Sequence, residues 1–174
     1  EALKQQTLPK DQWEVLLIDN ASDEVLASRW DLSWHPYGRH ILEAELGLTP
    51  ARMRGIKEAI GELILFVDDD NVLACDYLER SLEIATAMPM LGCFGAGLIE
   101  PEFEQKPSPE LLPYTYMLAL RNEEEIFWSN IRDDISFPWG AGLVVRADIA
   151  ERYNEKVSYS EFSKMLDRKG SELN

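Results

Sequence analysis

The apolar positions of this chain fall into short solid runs that alternate with stretches of helical spacing. Residues 13–18, Trp-Glu-Val-Leu-Leu-Ile, predict a buried strand that ends in the polar loop Asp19-Asn20-Ala21-Ser22. Residues 39–45 predict a weaker strand. Thr49 as N-cap and Pro50 at the first helical position predict a helix that runs to about Ile60 and stops at Gly61. Residues 63–67, Leu-Ile-Leu-Phe-Val, are apolar throughout, as in a central strand covered on both faces, and Asp68-Asp69-Asp70-Asn71 follows at once. Tyr77, Leu78, Leu82, Ala85 and Met88 recur at helical spacing. Residues 91–99 then predict a strand, 101–113 a Glu- and Pro-rich loop, 111–121 a partly helical stretch, 142–146 a last strand and 147–153 a last helix. This alternation predicts a single α/β domain over residues 1–174, built on a Rossmann-like, mostly parallel sheet with helices on both faces.

Composition narrows the function classes. The formal net charge is −15, which repels phosphate backbones and excludes nucleic acid as an expected partner. An acidic protein that binds an anionic nucleotide needs local neutralisation, and a divalent cation supplies it. With two cysteines and two histidines, a zinc cluster or disulfide framework is not expected. Cys75 and Cys93 read as core residues, and His35 and His40 as structural or surface residues. No apolar run reaches the roughly 18 residues of a membrane span.

Four segments carry candidate chemistry. In doubly wound sheets ligands bind beyond the carboxyl ends of the strands, where Asp68, Asp69 and Asp70 fall. Neighbouring carboxylates repel by about 1 kcal/mol per pair in water and about 4 kcal/mol at an effective dielectric of 20. Mg2+ or Mn2+ offsets this and bridges carboxylates to phosphates. If the segment is extended, Asp68 and Asp70 share a side and form the better metal pair. The competing explanation is an exposed acidic turn with a helix cap. Asp19 can accept from a base N–H or a ribose hydroxyl, or can cap its own loop. Arg52 and Arg54 sit early in a helix, where the dipole disfavours cations, so they either face an anionic ligand or lie on a solvated face. Trp139-Gly140-Ala141-Gly142 offers an aromatic platform and close backbone approach, or else a tight turn beside a core tryptophan.

Three stretches, "QTLPKDQWEVLLIDNAS", "LGLTPARMRGIKEAIGELILFVDDDN" and "PWGAGLVVRADI", follow one another in an order that resembles the family 2 glycosyltransferases of GT-A fold. The resemblance implies a metal-dependent, inverting transfer from a nucleotide-diphosphate sugar, a UDP-sugar above all, to a glycan or lipid-linked acceptor. It implies donor contacts from Asp19, Arg52, Asp68 and Asp69, metal ligation by Asp70 and Asp68, and a sugar and acceptor pocket at Trp139, Gly140, Ala141 and Gly142. Met53 departs from the family's usual asparagine. The family's first strand, with its nucleotide-contacting segment, is expected before Glu1, and its catalytic base beyond Asn174. Glu161 and Asp167 do not resemble that base motif. A role in polysaccharide assembly in the cytoplasm is expected, with peripheral attachment at the inner membrane face left open. The alternatives are a non-catalytic nucleotide-sugar-binding domain and a sugar-nucleotide pyrophosphorylase.

Overall fold

The computed structural model describes residues 1–131 and 136–158. The chain forms two compact units. The first comprises Glu1–Ile64, Val72–Gly92 and Val145–Asn174, and the second Leu65–Asn71 and Cys93–Val144. The strands are β1 (Val15–Asp19), β2 (Gly38–Leu42), β3 (Leu63–Leu65), β4 (Cys93–Phe94), β5 (Leu98–Ile99), β6 (Arg121–Asn122) and β7 (Val144–Arg146). The helices are α1 (Leu48–Glu58), α2 (Tyr77–Ala87) and α3 (Ala147–Ser158). Strands β1 and β2 pair in parallel, β5 and β6 pair antiparallel, and a three-stranded sheet has the order β3-β7-β4.

In the first unit, β1 and β2 align residue for residue, with Val15 beside Gly38 and Asp19 beside Leu42. Helix α1 packs on β1 and on α3. Gly55 brings the α1 backbone close to Ile18, and the Asn154 amide reaches the Met53 carbonyl at 3.4 Å. Ile41, Ile56, Ile64, Ala85, Ala150 and Val157 are buried. Every buried apolar residue described lies in this unit except Val144. Arg146 closes α2: its guanidinium donates to the carbonyls of Leu91 at 2.8 Å and Ala85 at 2.7 Å, a cation placed on the carbonyl end of a helix.

Several boundaries differ from expectation. Helix α1 is capped by Gly47 rather than Thr49, and it ends with Ala59 in extended conformation rather than at Gly61. The strand expected over residues 91–99 is two short strands parted by Gly95-Ala96-Gly97. There a Cβ on Gly95 would meet Pro138 Cβ at 3.2 Å and one on Gly97 the Glu123 carbonyl at 3.1 Å, closer than most side-chain contacts. The helical stretch near residue 112 is a 3-10 helix, Leu112–Leu118. Cys75 and Cys93 are not core residues: both are exposed free thiols, one in the loop before α2 and one on the two-residue β4.

His35 is structural. It is buried among Trp13, Trp34 and Tyr37, with the Trp13 ring 4.2 Å away. The Tyr37 N–H donates to His35 Nδ1 at 3.2 Å, so the proton sits on Nε2, which has no hydrogen-bond partner among the described residues. Burial, and then the charge of Lys10, holds its pKa below the ordinary histidine value. Protonation therefore favours the unfolded chain. Stability should be complete above the unfolded value of about 6.5 and decline as the pH falls below it. His35→Phe should flatten this window, measured by urea unfolding on either side of it. Gly38 leaves no room for a side chain, since a Cβ there would lie 2.9 Å from both Leu32 Cβ and the Leu32 carbonyl. Gly38→Ala should cost about 1–3 kcal/mol in the same unfolding assay.

Candidate functional site

The carboxyl end of β1 carries Asp19 and Asn20. Asp19 is 4% exposed, and both its oxygens accept from the loop that follows. The Ser22 N–H donates to Oδ1 at 3.0 Å and the Leu26 N–H to Oδ2 at 2.8 Å. These bonds, that from Leu26 foremost, hold its pKa below the usual carboxylate value. Between Asp19 and the Ser22 N–H the chain turns through Ala21, whose φ of 53° is unusual for a residue with a Cβ. The loop-capping explanation of Asp19 thus describes its bonds in this structure.

Asn20 was not singled out from the sequence, yet its side chain makes three bonds. Nδ2 donates to the carbonyls of Glu45 at 2.6 Å and Glu43 at 3.3 Å, and Oδ1 accepts from the Gly47 N–H at 2.8 Å. Gly47 is the cap of α1, and its carbonyl accepts from Ala51 N–H. Arg52, the next residue, is half-buried in the second turn of α1. Arg54 is paired with carboxylates of its own unit. Its Nε donates to Glu58 at 2.9 Å, and its Nη1 lies 3.8 Å from a Glu43 carboxylate oxygen.

The second unit holds the other candidates. Asp68–Asn71 is a tight turn, not an extended segment: the Asn71 N–H donates to the Asp68 carbonyl at 3.1 Å. The alternation that would set Asp68 and Asp70 on one side therefore does not apply. Asn71 closes the turn instead. Its Oδ1 accepts from the Asp68 N–H at 3.3 Å and its Nδ2 donates to Asp70 Oδ1 at 3.1 Å. Asp69 and Asp70 are exposed and Asp68 is half-buried. All donors here are oxygens, which suit a hard divalent cation. Among the described residues no three His, Cys, Asp or Glu side chains converge as a ready-made metal cage. Mg2+ characteristically takes one or two carboxylates and completes its shell with phosphates and water, so the donor set is compatible with such an ion.

The Phe66 N–H donates to the Leu143 carbonyl at 2.9 Å, and the Ala147 N–H to the Glu62 carbonyl at 2.9 Å. Pairing Phe66 with Leu143 and Glu62 with Ala147 makes β3 and β7 antiparallel. The acidic turn leaves β3 just beyond Phe66, and Gly140-Ala141-Gly142 enters β7 just before Leu143. The two turns consequently share one end of this strand pair. Gly142 is buried with a φ of 71°, and the Leu143 N–H donates back to the Gly140 carbonyl at 3.3 Å. Trp139 is 41% exposed. The Arg121 guanidinium sits 5.7 Å from its ring centroid and donates to the Phe137 carbonyl at 2.7 Å, a cation–π contact. Trp139 is thus not a core tryptophan. Glu161 and Asp167 lie outside the described residues.

The sequence profile described as Glycosyl transferase family 2 matches residues 1–153. The chain is 30% identical over 84 residues to the glycosyltransferase AglE of Haloferax volcanii, covering 47% of this chain and 28% of that protein. It is 31% identical over 88 residues to the uncharacterized glycosyltransferase YwdF of Bacillus subtilis, covering 50% of this chain and 32% of that protein. It therefore spans roughly a third or less of these curated relatives in the matched region. In fold it is similar to the crystal structure of S. aureus TarS 1–349, with a TM-score of 0.65 at 16% identity over 88% of this chain and 43% of that one. The same protein in complex with UDP gives a TM-score of 0.61 at 16% identity over 93% of this chain and 47% of that one. At this identity the likeness shows the fold, which is the GT-A type that the motif order implied. The profile match over most of the chain settles the family: this protein belongs to glycosyl transferase family 2.

Proposed function

We propose that the chain is the donor-binding part of a metal-dependent, inverting glycosyltransferase that uses a nucleotide-diphosphate sugar, with a UDP-sugar as the first choice. The observation that carries this reading is the Asp68–Asn71 turn, held by Asn71 at the end of β3 with exposed carboxylates at its tip. Asp70 and Asp68 are the metal ligands in this account, and Asp69, Asp19 and Arg52 contact the nucleotide. Asp19 keeps lone pairs beyond its two loop bonds, so holding the loop is compatible with accepting from a ligand. The choice of UDP draws support from the UDP complex of the similarly folded S. aureus protein.

Bound Mg2+ or Mn2+ supplies a Lewis acid toward the departing diphosphate. The protein's own part is to orient the donor. Gly140, Ala141 and Gly142 let the backbone approach the sugar and acceptor, and Trp139 offers the ring face not taken by Arg121. In the reaction an acceptor hydroxyl of a glycan or lipid-linked molecule forms a bond to the anomeric carbon. The bond from that carbon to the phosphate oxygen breaks, and the hydroxyl proton passes to a general base. No base is assigned among the described residues. No described helix is long and apolar enough to cross a membrane, and peripheral attachment at a cytoplasmic membrane face remains part of the proposal.

Calorimetric titration with UDP tests the reading. Affinity should rise at least about tenfold with Mn2+, a difference of about 1.4 kcal/mol, and Asp70→Ala should abolish that gain. Equal affinity with and without Mn2+ would contradict the metal-dependent reading. Absence of binding to UDP and to other nucleoside diphosphates would favour a domain without a donor site.

A further inference from the structure

We infer that Asn20 is a positioning residue for the donor nucleotide, an inference that rests on the donor-site reading of Asp19 and Arg52. Asn20 immediately follows Asp19 at the end of β1, and its amide reaches across 23 to 27 positions of sequence to the segment that opens α1. The bonds to Glu45 at 2.6 Å and Gly47 at 2.8 Å are short, and the third, to Glu43, is 3.3 Å. Both N–H groups of Nδ2 and one lone pair of Oδ1 are thus engaged on one planar group. A planar amide engaged at both ends has little freedom to turn, so it fixes the segment in translation and in orientation.

What the clamp fixes is a short covalent path. Gly47, whose N–H Asn20 accepts, caps α1, and its carbonyl receives the Ala51 N–H at 3.2 Å. Arg52 follows directly. On the other side, Asp19 ties down Ser22 and Leu26. Adjacent side chains at one strand end therefore hold two separate loops, and the left-handed Ala21 in the first is flanked by the bonded Asn20 and Ser22. The arrangement sets the spacing between the Asp19 carboxylate and the helix that carries Arg52. Small misplacement of groups that bind a ligand is costly even when no contact is deleted. Asn20 acts through Arg52, not by touching the nucleotide.

A double-mutant cycle on UDP affinity distinguishes this from a purely structural role. Asn20→Ala should weaken UDP binding about three- to tenfold in the otherwise unchanged protein, and by less than about twofold in an Arg52→Ala background, because coupled residues are non-additive. Asn20→Asp keeps the acceptor for Gly47 N–H but cannot donate to Glu43 and Glu45, and it should fall between the two. Full additivity with Arg52→Ala would overturn the inference while leaving the donor site standing. No effect of Arg52→Ala alone would remove the donor role of Arg52 and the inference with it. Failure of both Asn20 variants to fold would assign the residue to the fold alone and overturn the inference.

Discussion

A strand that ends inside a protein leaves main-chain donors and acceptors that the ladder no longer satisfies, and here that constraint falls at Asp19 and Asn20. Their side chains answer it with five hydrogen bonds: the Asp19 carboxylate accepts two from the following loop, and the Asn20 amide donates two to the loop after β2 and accepts one from it. The pairing of β1 with β2 brings these loops together, since Asp19 stands beside Leu42 and the Glu43 N–H continues the ladder to the Asp19 carbonyl at 2.8 Å. From there the Gly47 cap sets the start of α1. Helix α1 packs on β1 and on α3, and Ile56, Ala150 and Val157 of these helices are buried behind this arrangement. Loops held this way are where a rigid scaffold presents functional side chains.

The second unit works differently. Its described buried apolar residue is Val144, and many of its large side chains are exposed, with Tyr116, Met117 and Ile126 each more than 70% accessible. Order at its candidate residues comes from main-chain pairing and from one side chain. The bond from the Phe66 N–H to the Leu143 carbonyl puts the acidic turn and the glycine turn at one strand end, and the Asn71 amide holds the tip. Asp69 and Asp70 remain in solvent, where their mutual repulsion is modest without a ligand and where an incoming cation finds them accessible.

The sequence made the family legible because strand, Asp19, the Arg52 helix, the acidic triplet and Gly140-Ala141-Gly142 occur in one order, and order survives where single motifs are weak. The strands around Leu17 and Ile64 were legible as apolar runs, and α2 as a 3.6-residue period ending near Ala87. Boundaries were less so. Thr49-Pro50 imitates a helix start, but the cap fell on Gly47, whose N–H is taken by a side chain 27 residues away. Asp68–Asn71 could be read as extended or turned, and the choice depended on an asparagine bonding back to the turn. Asn20 and Asn71 escaped attention for the same reason. Their bonds are side chain to main chain or to a neighbouring carboxylate, and such bonds leave no periodic trace. Cys75 and Cys93 read as core by residue type alone, whereas exposure is set by the loop and the short strand they occupy.

The central claim is that one acidic turn, among many carboxylates on a chain of net charge −15, is a metal-binding donor site. Paramagnetic broadening of amide resonances by substoichiometric Mn2+, in the presence of UDP, tests it most directly. The account predicts that the amides of Asp69, Asp70 and Asn71 broaden first, with the effect lost in Asp70→Ala. Broadening spread evenly over the acidic surface, or centred on another cluster of carboxylates, would contradict it.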